Sequence, residues 1–89
     1  MKIINVGDTV YFARVIHQTG VYEVCELHVR TTYPESFVGV DKNSRQAHII
    51  SYGLCDVSVF EDRDEAVKII REAEKHKEQL TTEVSDDDS

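Results

Sequence analysis

The chain is 89 residues long, 40% hydrophobic and 30% charged, with a formal net charge of −7. A chain of this size forms one small domain and buries about two-thirds of the surface its unfolded form exposes, which argues against a second catalytic layer or a deep cofactor pocket. The composition fits a folded soluble domain rather than a disordered one, and no apolar run approaches the roughly 20 residues needed to span a bilayer.

The charge is uneven. Residues 1–80 hold all 10 Lys and Arg and 13 of the 17 acids, a balance of −3, and Glu83, Asp86, Asp87 and Asp88 supply the other −4. Nonspecific nucleic-acid binding draws on a net basic face, so this balance disfavours it while leaving room for a local basic patch. The segment Met1-Lys2-Ile3-Ile4-Asn5-Val6-Gly7-Asp8 lacks the apolar run and cleavage site of a signal peptide, and a cytoplasmic location is expected. In that compartment Cys25 and Cys55 are expected as reduced, buried thiols.

Val6-Gly7-Asp8 reads as a turn feeding a strand over Thr9–His17. Both faces of that strand are largely apolar: Val10, Phe12 and Ile16 on one, Tyr11, Ala13 and Val15 on the other. Such a strand is either central or bulged. Arg14 interrupts one face and is expected to reach solvent. After Gln18-Thr19-Gly20, Val21 to Thr32 alternates with period 2. Val21, Cys25, Leu27 and Val29 form the core candidate face, broken only by Glu23; Tyr22, Val24, Glu26, His28 and Arg30 share the other.

Pro34, the only proline, ends that strand within the connection Thr31–Ser36. The clearest hairpin follows, from Phe37 to Tyr52 around a Lys-Asn-Ser-Arg connection. Val38 and Val40 point one way; Phe37, Gly39 and Asp41 point the other. On the return, Ala47, Ile49 and Ser51 oppose His48, Ile50 and Tyr52. Gly39 in mid-strand signals a bulge or a close approach by another side chain. Residues 52–56 read as a loop and Val57–Phe60 as a last short strand.

The period then changes. Asp62 is a good N-cap, with Glu65 completing a capping-box pattern. Ala66, Val67, Ile69, Ile70, Ala73 and Leu80 make a stripe at helical spacing. The expected fold is mostly β (β+α): a small five-stranded antiparallel SH3-like barrel over residues 1–61, followed by a C-terminal α-helix over residues 62–80 packed on it in the same domain. An OB-like barrel is the alternative. The acidic tail, residues 81–89, is expected to be disordered.

The run Val6-Gly7-Asp8-Thr9-Val10-Tyr11-Phe12-Ala13-Arg14-Val15, the segments Val21–Leu27 and Phe37–Asp41, and Phe60-Glu61-Asp62-Arg63-Asp64-Glu65-Ala66 together resemble a family of small uncharacterised prophage-type proteins of Gram-positive bacteria. The likeness covers most of residues 6–75. It implies a phage-related cytoplasmic setting, assigns no chemistry, and carries over no functional residue.

Cys25, His28, His48 and Cys55 do not make a zinc site, because Cys25 and His28 point to opposite faces of one strand and His48 and Cys55 are loosely spaced. Cys25 sits on the apolar face, where a thiol is inert, and no glycine loop of the oxyanion type accompanies Cys55. Asp41 and Asp56 read as solvated turn residues rather than an acid–base pair. Neither a catalytic residue nor a cofactor is expected. Arg14, Arg30, Arg45, Tyr33, His48 and Tyr52 would make a mixed basic and aromatic face of the kind that binds single strands, against the plainer reading of scattered solvent-facing residues. The resulting expectation is a noncatalytic binding or regulatory module, monomeric or weakly dimeric, with an unknown protein partner and no membrane association. Its candidate surface is Arg30, Tyr33, Arg45 and His48, and the alternative is a weak single-stranded nucleic-acid-binding barrel.

Overall fold

The computed structural model describes the backbone of residues 4–88 and the side chains of residues 4–76. Five strands form one antiparallel sheet: β1 (Thr9–Ile16), β2 (Val21–Thr32), β3 (Ser36–Asp41), β4 (Ala47–Ser51) and β5 (Val59–Phe60). The helix α1 (Arg63–Asp88) follows. This is the expected mostly-β class with a single C-terminal helix. The spatial order is β4-β3-β2-β1-β5, so the first four strands run as a meander and the fifth returns to the outside of β1. β4 and β5 are the two ends of that order, and no ladder joins them among the described residues.

Strand alternation divides the side chains between two cores. On the inner face Val10, Cys25, Leu27, Val29, Phe37, Ile50 and Val59 are buried together with Ile4, and Phe12, Tyr52 and Cys55 pack against them. Each of the fully buried side chains Phe37, Leu27, Val10, Val29 and Val59 contributes roughly 1.5–3 kcal/mol. On the outer face Ala13, Phe60, Ala66 and Ile70 form a second cluster, flanked by Tyr11, Val15, Tyr22, Val24 and Ile69. β1 is apolar on both faces because it is internal in the sheet and covered on both sides. β5 stands at the end of the strand order but is likewise covered on both sides, its Val59 belonging to the inner core and Phe60 to the outer.

The sheet curls toward its inner face. The rings of Phe12 on β1 and His48 on β4 have centroids 6.1 Å apart. Three strand spacings in a flat sheet would separate them by about 14 Å. Gly39 contributes to the curl. A Cβ there would lie 3.0 Å from both Cβ and Cδ1 of Leu27, so any other residue would require Leu27 to give by a few tenths of an ångström where β3 approaches β2. Of the two readings the sequence left open at Gly39, close approach is the one found. The bulge lies on the facing strand, where the β2–β3 register shifts between Val29 and Thr31.

The turns follow from local hydrogen bonds. Gly7, at φ +97°, sits in the predicted opening turn, and its N–H donates to the Val29 carbonyl at 2.9 Å. The last strand is shorter than the Val57–Phe60 expected. A 3₁₀ turn (Tyr52–Leu54) precedes it, and the N–H groups of Val57 and Ser58 both donate back to the Leu54 carbonyl at 3.1 and 2.9 Å. Asp56 is left-handed at φ +63°. Donors held in that turn are not available to a ladder, so pairing begins at Val59.

Asp62 caps α1 as predicted, its Oδ1 accepting from the Asp64 N–H at 3.0 Å. Asp64 and Glu65 in the first turn suit the positive end of the helix dipole. The helix lies on β1, β2 and β5, with Ala66 and Ile70 buried and Val67, Ile69 and Ala73 half-buried. Its backbone stays helical to Asp88, through most of the segment expected as a disordered acidic tail; the side chain of Leu80 and those of the tail lie outside the described residues. No described helix is long and apolar enough to cross a membrane.

Candidate functional site

The loop joining β3 and β4 is built around one carboxylate. Asp41 is 8% exposed, and its Oδ1 accepts from the Asn43 N–H at 2.7 Å and the Ser44 N–H at 3.2 Å. The Asn43 N–H is the main reason its carboxyl lies below the usual range; burial opposes that shift and the Ser44 N–H adds to it. The hairpin closes through the Asp41 N–H to the Gln46 carbonyl and the Arg45 N–H to the Asp41 carbonyl, both 2.9 Å. This closure leaves Arg45 left-handed at φ +66°, a conformation that glycine or asparagine adopts with less strain.

The loop is tied down onto β2. The Lys42 N–H donates to the Glu26 carbonyl at 3.0 Å, and its Nζ lies 2.7 Å from Glu26 Oε2 and 3.4 Å from Thr9 Oγ1. On β2, His28 and Arg30 are two residues apart and on the outer face. The result is an open groove of about 440 Å³ lined by His28, Arg30, Val40, Asp41, Lys42 and Arg45. Two of its cations, Arg30 and Arg45, have no ion pair among the described residues.

Two of the four residues singled out from sequence therefore meet. Arg30 and Arg45 line one groove. Tyr33 is 54% exposed in the connection after β2 and is not part of its wall. His48 lies on the opposite face of the sheet, half-buried with its ring against Phe12. Strand alternation decides this: His48 pairs with Gly39 and shares the inner face with Ile50. Grouping His48 with Arg45 is corrected on that ground, because the polarity of a side chain does not override the strand period. His28 and Lys42 are the members that sequence reasoning left out. The signal for His28 was present, since it shares a face with Arg30 at i, i+2.

Comparison with protein-family models, with curated proteins and with solved structures gave no match.

The remaining chemistry-bearing groups are dispersed. Cys25 and His28 lie on opposite faces of β2, as their spacing predicts. Both cysteines are free, Cys25 buried and Cys55 half-buried. Burial, and then the nearby Glu23 and Asp41 carboxylates, push the Cys25 thiol up to about 12; burial and Asp56 raise that of Cys55. Both shifts disfavour the thiolate form that nucleophilic chemistry needs. Among the described residues no group of three or more His, Cys, Asp or Glu is placed to hold a metal ion. Arg14, expected in solvent, is partly exposed and donates from Nη1 to Glu23 Oε1 at 2.9 Å.

Proposed function

We propose that this protein is a small noncatalytic binding module that engages a protein partner through the β3–β4 half of its outer face. The observation that carries the reading is the company the groove keeps. Strand register puts Val38, Val40, Ala47 and Ile49 on one face beside it; Val38 is buried and Val40 half-buried, while Ala47 is exposed and Ile49 is 80% exposed. Apolar side chains next to two guanidiniums that have no ion pair among the described residues fit a partner segment that presents acidic groups beside apolar ones. The burial of Cys25 and the upward shift of both thiols support the noncatalytic part of the proposal.

The strand order, with β5 returning beside β1 after a 3₁₀ turn, supports reading the curled sheet as a small SH3-like barrel. An OB-like barrel is a Greek key, and its connection would interrupt the β1-to-β4 meander. The resemblance over residues 6–75 supports a phage-related cytoplasmic setting.

The test is fluorescence anisotropy of labelled peptides that are acidic and apolar, against peptides of the same composition with the acids replaced by Lys. The acidic set is expected to bind, and Ile49→Lys and Arg30→Glu are each expected to abolish binding. Equal binding of both peptide sets would sink the proposal. A second reading, single-strand binding, is favoured by the exposed Tyr33, which follows Arg30 in the connection after β2. A (dT)12 oligonucleotide at low salt checks it, and binding that falls steeply with added salt is its expected signature.

A further inference from the structure

Resting on the reading of this face as the binding surface, we propose that the groove formed by Arg30 and Arg45 with His28 and Lys42 takes a dianionic phosphoryl group carried on a side chain of the partner protein. Its walls come from two separate pieces of chain, β2 and the β3–β4 loop, that the β2–β3 ladder holds together. The acids nearby are already engaged. Glu26 holds Lys42 at 2.7 Å, and Asp41 accepts from the Asn43 and Ser44 N–H groups inside its own loop. The two guanidiniums remain without an ion pair among the described residues.

Each guanidinium is a planar fork that matches an oxyanion in bidentate fashion. A carboxylate has two oxygens and one charge, enough for one fork. A phosphate monoester has three free oxygens and close to two charges at neutral pH, which suits two forks approaching from different elements. A phosphodiester chain is the poorer match. No Phe, Tyr or Trp lines the groove and its one ring is the His28 imidazole, whereas single-strand sites stack successive bases on several aromatic rings. The chain carries −7 overall, which repels a long polyanion more than it repels a single group.

Arg45 separates recognition from folding. Glycine takes φ +66° without strain, so Arg45→Gly should keep or raise thermal stability while removing one fork. The experiment uses the full ¹⁵N-labelled chain at fixed ionic strength. Its probes are inorganic phosphate, sodium chloride, a short acidic peptide with one phosphoserine, the same peptide with Glu at that position, and (dT)12. Phosphate, but not chloride, is expected to shift the amides of His28, Arg30 and residues 43–46. The phosphopeptide is expected to bind about tenfold more tightly than its Glu twin, and Arg30→Ala and Arg45→Gly are each expected to weaken it by about tenfold or more.

Equal affinity for the phosphopeptide and its Glu twin would overturn the phosphoryl assignment and leave the protein-binding proposal standing. Binding of neither peptide would overturn both. Tighter binding of (dT)12 than of the phosphopeptide would overturn both in favour of nucleic acid. Unchanged binding by folded Arg45→Gly would remove the groove from the interaction.

Discussion

Ile70 on α1 and Ile49 on β4 both lie on the outer side of the same sheet, yet one is 7% exposed and the other 80%. The difference comes from where the helix lies. α1 covers β1, β2 and β5, and there the outward residues are Tyr11, Ala13, Val15 and Phe60, a surface that requires a cover. Over β3 and β4 the outward residues are Val38, Val40, Ala47 and Ile49, mixed with Arg30 and the loop cations. One half of the face has its apolar partner built into the chain. The other buries Val38 and half-buries Val40 but leaves Ala47 and Ile49 in the open, an exposed apolar spot beside the loop cations.

The most direct way to break this comparison is to truncate the two isoleucines separately. Ile70→Ala is expected to cost about 2–4 kcal/mol, because it opens a cavity between helix and sheet. Ile49→Ala is expected to change stability by less than about 0.5 kcal/mol. Urea denaturation of both variants reads the pair, and similar losses would show that the β4 side is as much a core as the helix side. Next in size is Gly39→Val, which forces side-chain atoms against Leu27 on the face both halves share. It is expected to cost about 1–3 kcal/mol and to lower the denaturation midpoint accordingly; an unaffected midpoint would remove Gly39 from the account of the curl.

The loop beneath the groove gives a smaller effect with a defined pH dependence. Asp41 has a folded pKa lowered by N–H donors, so its contribution is present above its unfolded value, about 3.9, and is lost as pH falls through the folded value. Asp41→Ala is expected to cost about 1–2 kcal/mol at neutral pH. The gap between wild type and variant should close progressively below about pH 4; a gap independent of pH down to acid unfolding would contradict the charge-assisted loop. Smallest, and of opposite sign, is Arg45→Gly, expected to stabilise by up to about 1 kcal/mol through relief of the left-handed strain. Thermal melts of the variant check it. A gain there, together with lost binding, is the sharpest contrast with the helix-covered half, where removing a contact residue only destabilises.

Much of the fold was legible because two periods carry it. The alternation in Val21–Thr32 and Phe37–Ser51 assigned inner and outer residues correctly, and the Asp62 cap marked where the period changes. Residues 52–58 were harder. Tyr52-Gly53-Leu54 folds as a 3₁₀ turn and Val57 is drawn into a turn by the Leu54 carbonyl, although its side chain has high strand propensity; here local hydrogen bonds outweigh propensity. The second core was only half visible. Tyr22 and Val24 looked like the lesser face of β2, and only the position of α1 turns them inward. The groove was legible residue by residue but not as a whole, since joining Arg30 to Arg45 requires the β2–β3 register, and separating His48 from them requires taking the strand period over polarity.

The return of β5 to the flank of β1 sets an order of events during synthesis. β1 meets β2 early, across a four-residue turn, but its other edge has no partner until residue 59 has left the ribosome, and its outer face has no cover until Ile70 follows. A nascent chain ending before β5 therefore presents β1 as a bare, apolar edge, the kind of edge that pairs with other chains. The β2–β3–β4 meander, made of local contacts, is expected to form first, and the β1–β5 ladder with the docking of α1 last. Folding rates would register that sequence: Val59→Ala is expected to speed unfolding more than it slows folding, whereas Val38→Ala, in the meander, is expected mainly to slow folding.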